Sequence, residues 1–306
     1  MAEWGKTLLI VNPAAQNGNG EKAGAEAETL LGAHVGKKIA ALDVFHTEYP
    51  RHALQKAAEC SVYDTVIALG GDGVIHEAAG GLMQIPFENR PIFGIIPVGS
   101  GNDYARTLNM SKVVSEAVEQ ILGAQVKPVD VGCCNGEYFV ETLSFGLDAA
   151  IALDTVERRK HTTKSDTALY FEAGIDQLLH HLDSYHYTVS LDGKTPFEGD
   201  MKMFAVQIGV TYGGGFKVTP WAQVDDGIFD LCICDGSISL PRAVYTFAKA
   251  KDGKHTKSKL LRFETASTIK LRFDRRPPCQ MDGEAHIADE YDISINKQAL
   301  RVLMNR

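Results

Sequence analysis

The sequence predicts two domains of different class: an α/β domain built on an open, mostly parallel sheet, followed by an antiparallel β domain. Three observations predict this. Through residues 1–128, short apolar runs alternate with helical patterns, as in a parallel sheet buried on both faces. From Val129 onward strand-like segments dominate, and Thr268-Ile269-Lys270-Leu271-Arg272-Phe273 alternates with period two, as a half-buried strand does. The chain has 306 residues, 44% of them apolar, which is enough to fill more than one core.

The elements follow in order. Leu8-Leu9-Ile10-Val11 is a short buried strand, and the alanine-rich stretch 21–31 is a helix. A strand over 39–45 precedes a helix over 50–60 that carries Pro50 near its start. Strands over 66–69 and 92–96 alternate with helices over 75–83, 103–108 and 111–122. The break falls near Lys127-Pro128. Beyond it, strands are expected over 129–133, 138–145, 187–191, 203–210, 228–234, 268–273, 291–295 and 300–304, with helices over 167–182 and 240–250. The expected domains are 1–128 and 129–296, with 297–306 returning to the first.

Composition narrows the function classes. A formal net charge of -8 disfavours a nucleic-acid binder, which needs a basic surface to neutralise phosphates. Two basic patches stand out: Arg158-Arg159-Lys160 with Lys164, and Lys249, Lys251, Lys254, Lys257, Lys259 and Arg262. Each reads first as a solvated face. The six cysteines form no CxxC, and Cys133-Cys134 and Cys232-x-Cys234 sit in apolar runs as small buried hydrophobes. MAEWGKTLLIVNP does not resemble a signal peptide, and no window approaches the ~18 apolar residues of a membrane helix. A soluble, cytoplasmic protein is expected.

Three glycine-rich junctions follow apolar strands in the first domain. They are Asn12-Pro13-Ala14-Ala15-Gln16-Asn17-Gly18-Asn19-Gly20, Gly70-Gly71-Asp72-Gly73 and Pro97-Val98-Gly99-Ser100-Gly101-Asn102-Asp103. In an open parallel sheet such turns gather at the carboxyl edge, where ligands bind. Glycine admits close backbone approach, and a following helix N-terminus favours phosphate. The pattern is neither GxGxxG nor GxxxxGK[ST]. A carboxylate at Asp72 would repel phosphate unless a cation or donor network intervenes, which points to a Mg²⁺-nucleotide. In the second domain, Tyr212-Gly213-Gly214-Gly215-Phe216 is followed by Pro220 and Asp225-Asp226-Gly227. Then comes Gln280-Met281-Asp282-Gly283-Glu284, which reads equally as a hairpin turn or as a carboxylate pair able to take a proton from an acceptor hydroxyl.

Together these motifs resemble the diacylglycerol kinase catalytic domain family, which includes bacterial lipid kinases and is related to sphingosine and ceramide kinases. The motifs are Asn12-Pro13; GGDG at 70–73; PVGSGND at 97–103; the GGG stretch with Pro220, Ala222 and Asp226-Gly227; and Asp282-Gly283-Glu284. They occur in order across nearly the whole chain. The resemblance implies an α/β domain like that of NAD kinases and phosphofructokinases, a C-terminal antiparallel β-sandwich, and ATP in the cleft. It implies an ATP-dependent lipid kinase that moves the γ-phosphate of Mg-ATP to a hydroxyl of a lipid such as diacylglycerol. Asn12, Thr47, Gly70, Gly71, Asp72, Gly73, Ser100, Gly101 and Asn102 would contact the nucleotide. Asp72, Asp103 and Asp130 would hold Mg²⁺ and its waters. Glu284 would be the general base with Asp282 beside it, and Asp226, Gln223 and Ile228 would hold a second, structural metal. An apolar acceptor pocket is expected between the domains, with Phe145, Tyr170 and Phe171 as candidate lining residues or ordinary core. The lipid would be met at the inner face of the membrane through peripheral contact of residues 249–262, and family members often form homodimers.

Three positions depart from the family pattern: Val74 where threonine is usual, His76 where asparagine is usual, and Ala14-Ala15-Gln16 where a Ser-Gly pair is common. Losing one hydroxyl contact at Val74 costs about 1–2 kcal/mol, roughly tenfold in rate. Two alternatives stand beside the lipid kinase: an NAD-kinase-like enzyme acting on a soluble hydroxyl, and a non-catalytic nucleotide- or lipid-binding regulator.

Overall fold

The protein, seen here as a computed structural model, is described over residues 3–159, 162 and 166–305. Lys160 and Lys164 of the first basic patch lie outside the described residues. The chain divides into two compact units, Met1–Asp130 with Gln298–Arg306, and Val131–Lys297.

The first unit contains β1 (Lys6–Val11), α1 (Ala15–Gly32), β2 (Ala41–His46), α2 (His52–Ala58), β3 (Thr65–Gly70), α3 (Asp72–Met83), β4 (Ile92–Pro97), α4 (Asp103–Thr107) and α5 (Val114–Gly123). The strands run parallel in the order β2-β1-β3-β4. β3 is buried along its whole length, which explains an apolar run without alternation. The strand order reverses direction between β1 and β3, so the loops after these two strands open on a topological switch point. Two helices start earlier than the sequence suggests. α1 begins at Ala15, so most of the first glycine-rich junction is helix rather than loop, with an irregular first turn in which Gln16 and Gly18 have positive φ. α3 begins at Asp72, with extended Gly71 as its N-cap residue.

The second unit is entered along β5 (Gln125–Cys134). It continues through β6 (Glu137–Phe139), β7 (Thr142–Gly146), α6 (Leu147–Arg159), α7 (Asp166–His180), β8 (Tyr185–Leu191), β9 (Phe197–Gln207), β10 (Thr211–Tyr212) and β11 (Phe216–Lys217). Then follow β12 (Phe229–Asp235), α8 (Leu240–Ala250), β13 (Leu261–Ala266), β14 (Thr268–Phe273), β15 (Cys279–Met281), β16 (Glu284–Ala285) and β17 (Glu290–Met304). β9 organises the unit. Its first half pairs with β8 and its second half with β7, while β12 runs antiparallel along its other edge. The sheet therefore divides into a β8-β14-β17 branch and a β7-β15-β16 branch. Both branches close over one apolar core that includes Phe145, Phe204, Phe229, Ile269 and Ile293, giving a β-sandwich. Fully burying each such side chain contributes about 1.5–3 kcal/mol. The alternate residues Ala205 and Cys232 face a second cluster with Ile151, Tyr170 and Phe216, so these strands are apolar on both faces.

Three departures from the sequence expectation have local causes. The strand expected over 138–145 is two strands, because the N–H groups of Val140 and Glu141 turn to the Asp282 carboxylate. The strands expected over 291–295 and 300–304 are one strand, β17, kinked at Gln298 (φ 50°), whose N–H donates to Asp130 Oδ1 at 2.7 Å. α6 was not expected at all, because Asp148 and Thr155 place polar residues among its buried positions beside Ala149 and Ile151 and break the apolar stripe. All six cysteines are free. Among the described residues no helix is long and apolar enough to cross a membrane.

Candidate active site

The first unit brings the expected phosphate-binding turns to one edge. Asn12 follows β1, Thr47 follows β2, Gly71 follows β3 and Val98 follows β4, all at strand carboxyl ends. Asn12 donates its N–H to Leu69 carbonyl at 3.0 Å, and Thr47 donates to Val11 carbonyl at 2.9 Å. Asp72 ties the second and third junctions together. Its Oδ2 accepts the Asn102 N–H at 2.8 Å and its Oδ1 the Asp103 N–H at 2.9 Å. Asn102, in the left-handed region (φ 53°), closes the turn by accepting the Gly99 N–H at 2.9 Å on its Oδ1. Gln16 Nε2 donates to Gly99 carbonyl at 3.1 Å, which joins the first junction to the third.

Gly99 must be glycine for a packing reason, and Gly71 leaves little room for a side chain. A Cβ on Gly71 would lie 3.2 Å from the Gly99 Cα, and one on Gly99 would collide with Gly71. A Cβ on Gly101 would press into Asp72 Oδ2. Val74, 6% exposed, lies against Gly70, where it fills the space that a side chain on Gly70 would need. Its methyl groups do packing work that a threonine of the same shape would share. Ser100 and Gly73 are partly exposed, and Gly70 and Gly101 are buried.

The expected metal ligands have other engagements. Asp72 is spent on backbone N–H groups, Asp103 is ion-paired with Arg106, and Asp130 accepts the Gln298 N–H. Asp226 Oδ1 accepts the Ile228 N–H at 3.1 Å, which closes the turn that contains Gly227 (φ 83°). Among the described residues no three His, Cys, Asp or Glu side chains gather as a metal cluster. Asp226, expected to hold a structural metal with the Gln223 and Ile228 carbonyls, lies in the turn that contains Gly227, and Asp72, Asp103 and Asp130 lie at the strand-end junctions and at the end of the first unit.

In the second unit Asp282-Gly283 is the two-residue turn of the β15-β16 hairpin, with φ 48° and 94° and Met281 opposite Glu284. The hairpin reading and the functional reading of this motif are compatible. Asp282, 9% exposed, accepts the N–H groups of Val140, Glu141 and Thr142 at 2.8, 3.0 and 2.9 Å. A carboxylate bound by three backbone donors holds that backbone in place. Gln280 Oε1 accepts the Gly283 N–H at 2.7 Å, and Gln280 Nε2 donates to Ser144 Oγ at 2.7 Å. These bonds hold the tip while Glu284 is exposed. His286, which sequence reasoning missed, packs behind the tip: its Nδ1 lies 3.1 Å from Glu137 Oε2 and its Nε2 3.8 Å from Cys134 Sγ. Burial pushes the Cys134 thiol up to about 12, so it is no nucleophile. The Tyr212-Gly213-Gly214-Gly215-Phe216 stretch is the β10-β11 hairpin, with all three glycines at positive φ.

With this geometry in view, the comparisons with known proteins are decisive. Residues 6–134 match the diacylglycerol kinase catalytic domain, and residues 141–304 match the YegS C-terminal NAD kinase beta sandwich-like domain. The chain belongs to the diacylglycerol kinase catalytic domain family. It is 30% identical to a diacylglycerol kinase of Bacillus subtilis (strain 168) over 234 residues, covering 76% of this chain and 75% of the relative. It is 27% identical to one of Staphylococcus carnosus (strain TM300), covering 78% of each. A solved diacylglycerol kinase of Bacillus anthracis str. Sterne shares the fold with a TM-score of 0.82 at 24% identity, covering 100% of this chain and 99% of that one. An NAD kinase of Archaeoglobus fulgidus solved with ATP superposes with a TM-score of 0.50 at 14% identity, covering 98% and 94%.

An apolar pocket is lined by residues of the second unit, among them Leu147, Ile151, Tyr170, Phe216 and Phe247. Tyr170 lines it, but Phe145 belongs to the sandwich core and Phe171 stacks on Phe247 outside the lining. Asp148 sits in its wall, bonded to the Tyr212 hydroxyl at 2.7 Å, and burial pushes its carboxyl up to about 7. Of the basic patches, Arg158 is tied to Asp154 and Asp176, Lys254 pairs with Asp252 at 3.0 Å, and Arg262 pairs with Glu264 at 2.8 Å.

Proposed function

We propose that this member of a kinase family transfers the γ-phosphate of ATP to the hydroxyl of a lipid such as diacylglycerol. The observation that carries the reading is the Asp72 clamp, which draws two glycine turns onto one edge of the sheet. The first turn of α3 points its N–H groups out of the helix end, a natural seat for phosphate oxygens. Asn12, Thr47, Gly71, Gly73 and Ser100 surround that seat. Mg²⁺ bound with the nucleotide would neutralise phosphate charge, with Asp72, Asp103 and Asp130 as the residues that would hold it and its waters. Phosphoryl transfer asks the protein chiefly for positioning and charge neutralisation. Glu284, presented by the fixed hairpin, takes the proton of the acceptor hydroxyl. The apolar pocket receives an acyl chain.

The enzyme meets its lipid peripherally. Tyr245 on α8 is 65% exposed with Lys249 Nζ 5.5 Å from its ring, an amphipathic pairing suited to a headgroup layer at the inner membrane face. The lysines that follow add ~1 kcal/mol each near anionic lipid.

The test is transfer of labelled γ-phosphate from Mg-ATP to a mixed lipid extract, with Glu284→Ala alongside. A labelled lipid that disappears in the variant supports the reading. Label on a soluble acceptor, or none despite ATP binding, overturns it.

A further inference from the structure

We propose that Tyr212, Asp148, Ser144 and Gln280 form a buried hydrogen-bond relay through which a lipid chain packed on the pocket wall fixes the hairpin that presents Glu284. The inference rests on the readings of Glu284 as the base and of this pocket as the acceptor-lipid site. It also gives the glycine triplet at 213–215 a task. Tyr212 and Phe216 flank that triplet as a cross-strand pair, and both line the pocket. A Cβ on Gly213 would collide with the ring of Tyr170, another lining residue, so the hairpin packs this closely only with glycine there.

The relay begins at the pocket. The Tyr212 hydroxyl donates to Asp148 Oδ2 at 2.7 Å. Asp148 stands in the first turn of α6, just after β7, and the Ser144 hydroxyl of β7 hydrogen-bonds its carboxyl. Ser144 lies opposite Gln280 in the β7-β15 ladder, and Gln280 Nε2 donates to Ser144 Oγ at 2.7 Å. Gln280 Oε1 accepts the N–H of Gly283, the residue before Glu284, at 2.7 Å. The protons are consistent along the chain. The Gly283 N–H fixes which end of the Gln280 amide accepts, so the other end donates to Ser144, whose own proton is left for Asp148.

The four side chains are 5%, 3%, 0% and 1% exposed in that order, so water does not compete for these bonds. A buried network of this kind is stiff, and removing one member leaves its neighbours without partners. A lipid chain needs only apolar contact with the wall at Tyr212 to hold the relay in place. Contacts remote from the reacting hydroxyl raise kcat only when they help to position the reacting groups, and otherwise they alter KM alone. The relay is the route by which chain contact reaches kcat.

The test compares 1,2-dioleoylglycerol with 1,2-dihexanoylglycerol in mixed micelles, using the full chain and saturating Mg-ATP. The expected kcat is about tenfold higher for the long chains. Tyr212→Phe keeps the ring and removes the hydroxyl, and Gln280→Met removes both polar atoms. Each should bring the two kcat values within about twofold of one another, with folding checked by thermal melting. A purely structural lesion lowers both rates together and leaves their ratio. A second readout, without ATP, is hydrogen exchange of a peptide spanning residues 279–286. Dioleoylglycerol micelles should slow it, relative to micelles alone, in the unaltered protein and not in Tyr212→Phe. A kcat equal for both lipids, a ratio that survives both variants, or exchange that ignores the lipid overturns the proposal while leaving lipid phosphorylation standing. Exchange slowed in a Tyr212-dependent way, with neither lipid phosphorylated, removes only the catalytic reading. Failure of both readouts removes both.

Discussion

Asp72 and Asp282 stand in the same local sequence, Asp-Gly after an apolar strand, in two different units. Both act as clamps on backbone N–H groups, but in different settings. Asp72 accepts the Asn102 and Asp103 N–H groups at a partly exposed junction, and Asp282, itself buried, accepts those of Val140, Glu141 and Thr142 at the base of an exposed hairpin tip. In both places the carboxylate of the Asp-Gly motif shapes a loop, and the proposed function assigns the chemistry to its neighbours. Those neighbours are the α3 N-terminus beside Asp72 and the exposed Glu284 beside Asp282.

The comparison breaks first at the hairpin. Asp282→Ala strips three N–H groups of their acceptor and should lower unfolding free energy by about 3–4 kcal/mol in urea titration. Glu284→Gln should leave stability within about 0.5 kcal/mol yet reduce phosphoryl transfer by about 10²–10⁴. If Asp282→Ala is stable and only inactive, Asp282 is no clamp. At the junction, Asp72→Asn replaces one accepting oxygen by a donor and should cost about 1–3 kcal/mol, with ATP affinity falling in calorimetry. Unchanged stability there would separate the two aspartates in kind.

Asp148 sharpens the contrast, because burial outweighs its hydrogen bonds. Its raised pKa means that the folded protein holds this proton more tightly than the unfolded chain does. Its contribution to stability is therefore greatest at low pH and declines as pH rises from the ordinary carboxylate range through about 7. Asp148→Asn should remove that decline, so the variant gains relative stability at pH 8 over pH 5 by about 1–3 kcal/mol, read from paired denaturation curves. The smallest effect is expected for Val74→Thr, which keeps the shape packed on Gly70 but buries a hydroxyl, and should lower stability by about 1 kcal/mol with little change in ATP affinity. A tenfold gain in activity would instead give the hydroxyl a direct role.

Most strands and helices were legible because apolar periodicity is a local property. α8 (Leu240–Ala250) and β14 (Thr268–Phe273) match their expected spans. α6 escaped because its first turn carries the buried polar Asp148, which broke the apolar stripe. The glycine junctions and the Asp282-Gly283-Glu284 motif were visible as motifs, but their roles were divided by contacts distant in sequence, such as Asp72 with Asn102 and Asp282 with Val140.

The sequence by itself determined the α/β-then-β order, the positions of the strand-end turns and the family, since each depends on residue type and spacing alone. Only the tertiary structure decided that Asp72 and Asp282 are clamps, that an apolar pocket forms within the second unit, and that Asp148 is buried beside the Tyr212 hydroxyl. The reason is physical: whether a polar side chain is free to act depends on which distant backbone groups reach it first, and no local pattern records that.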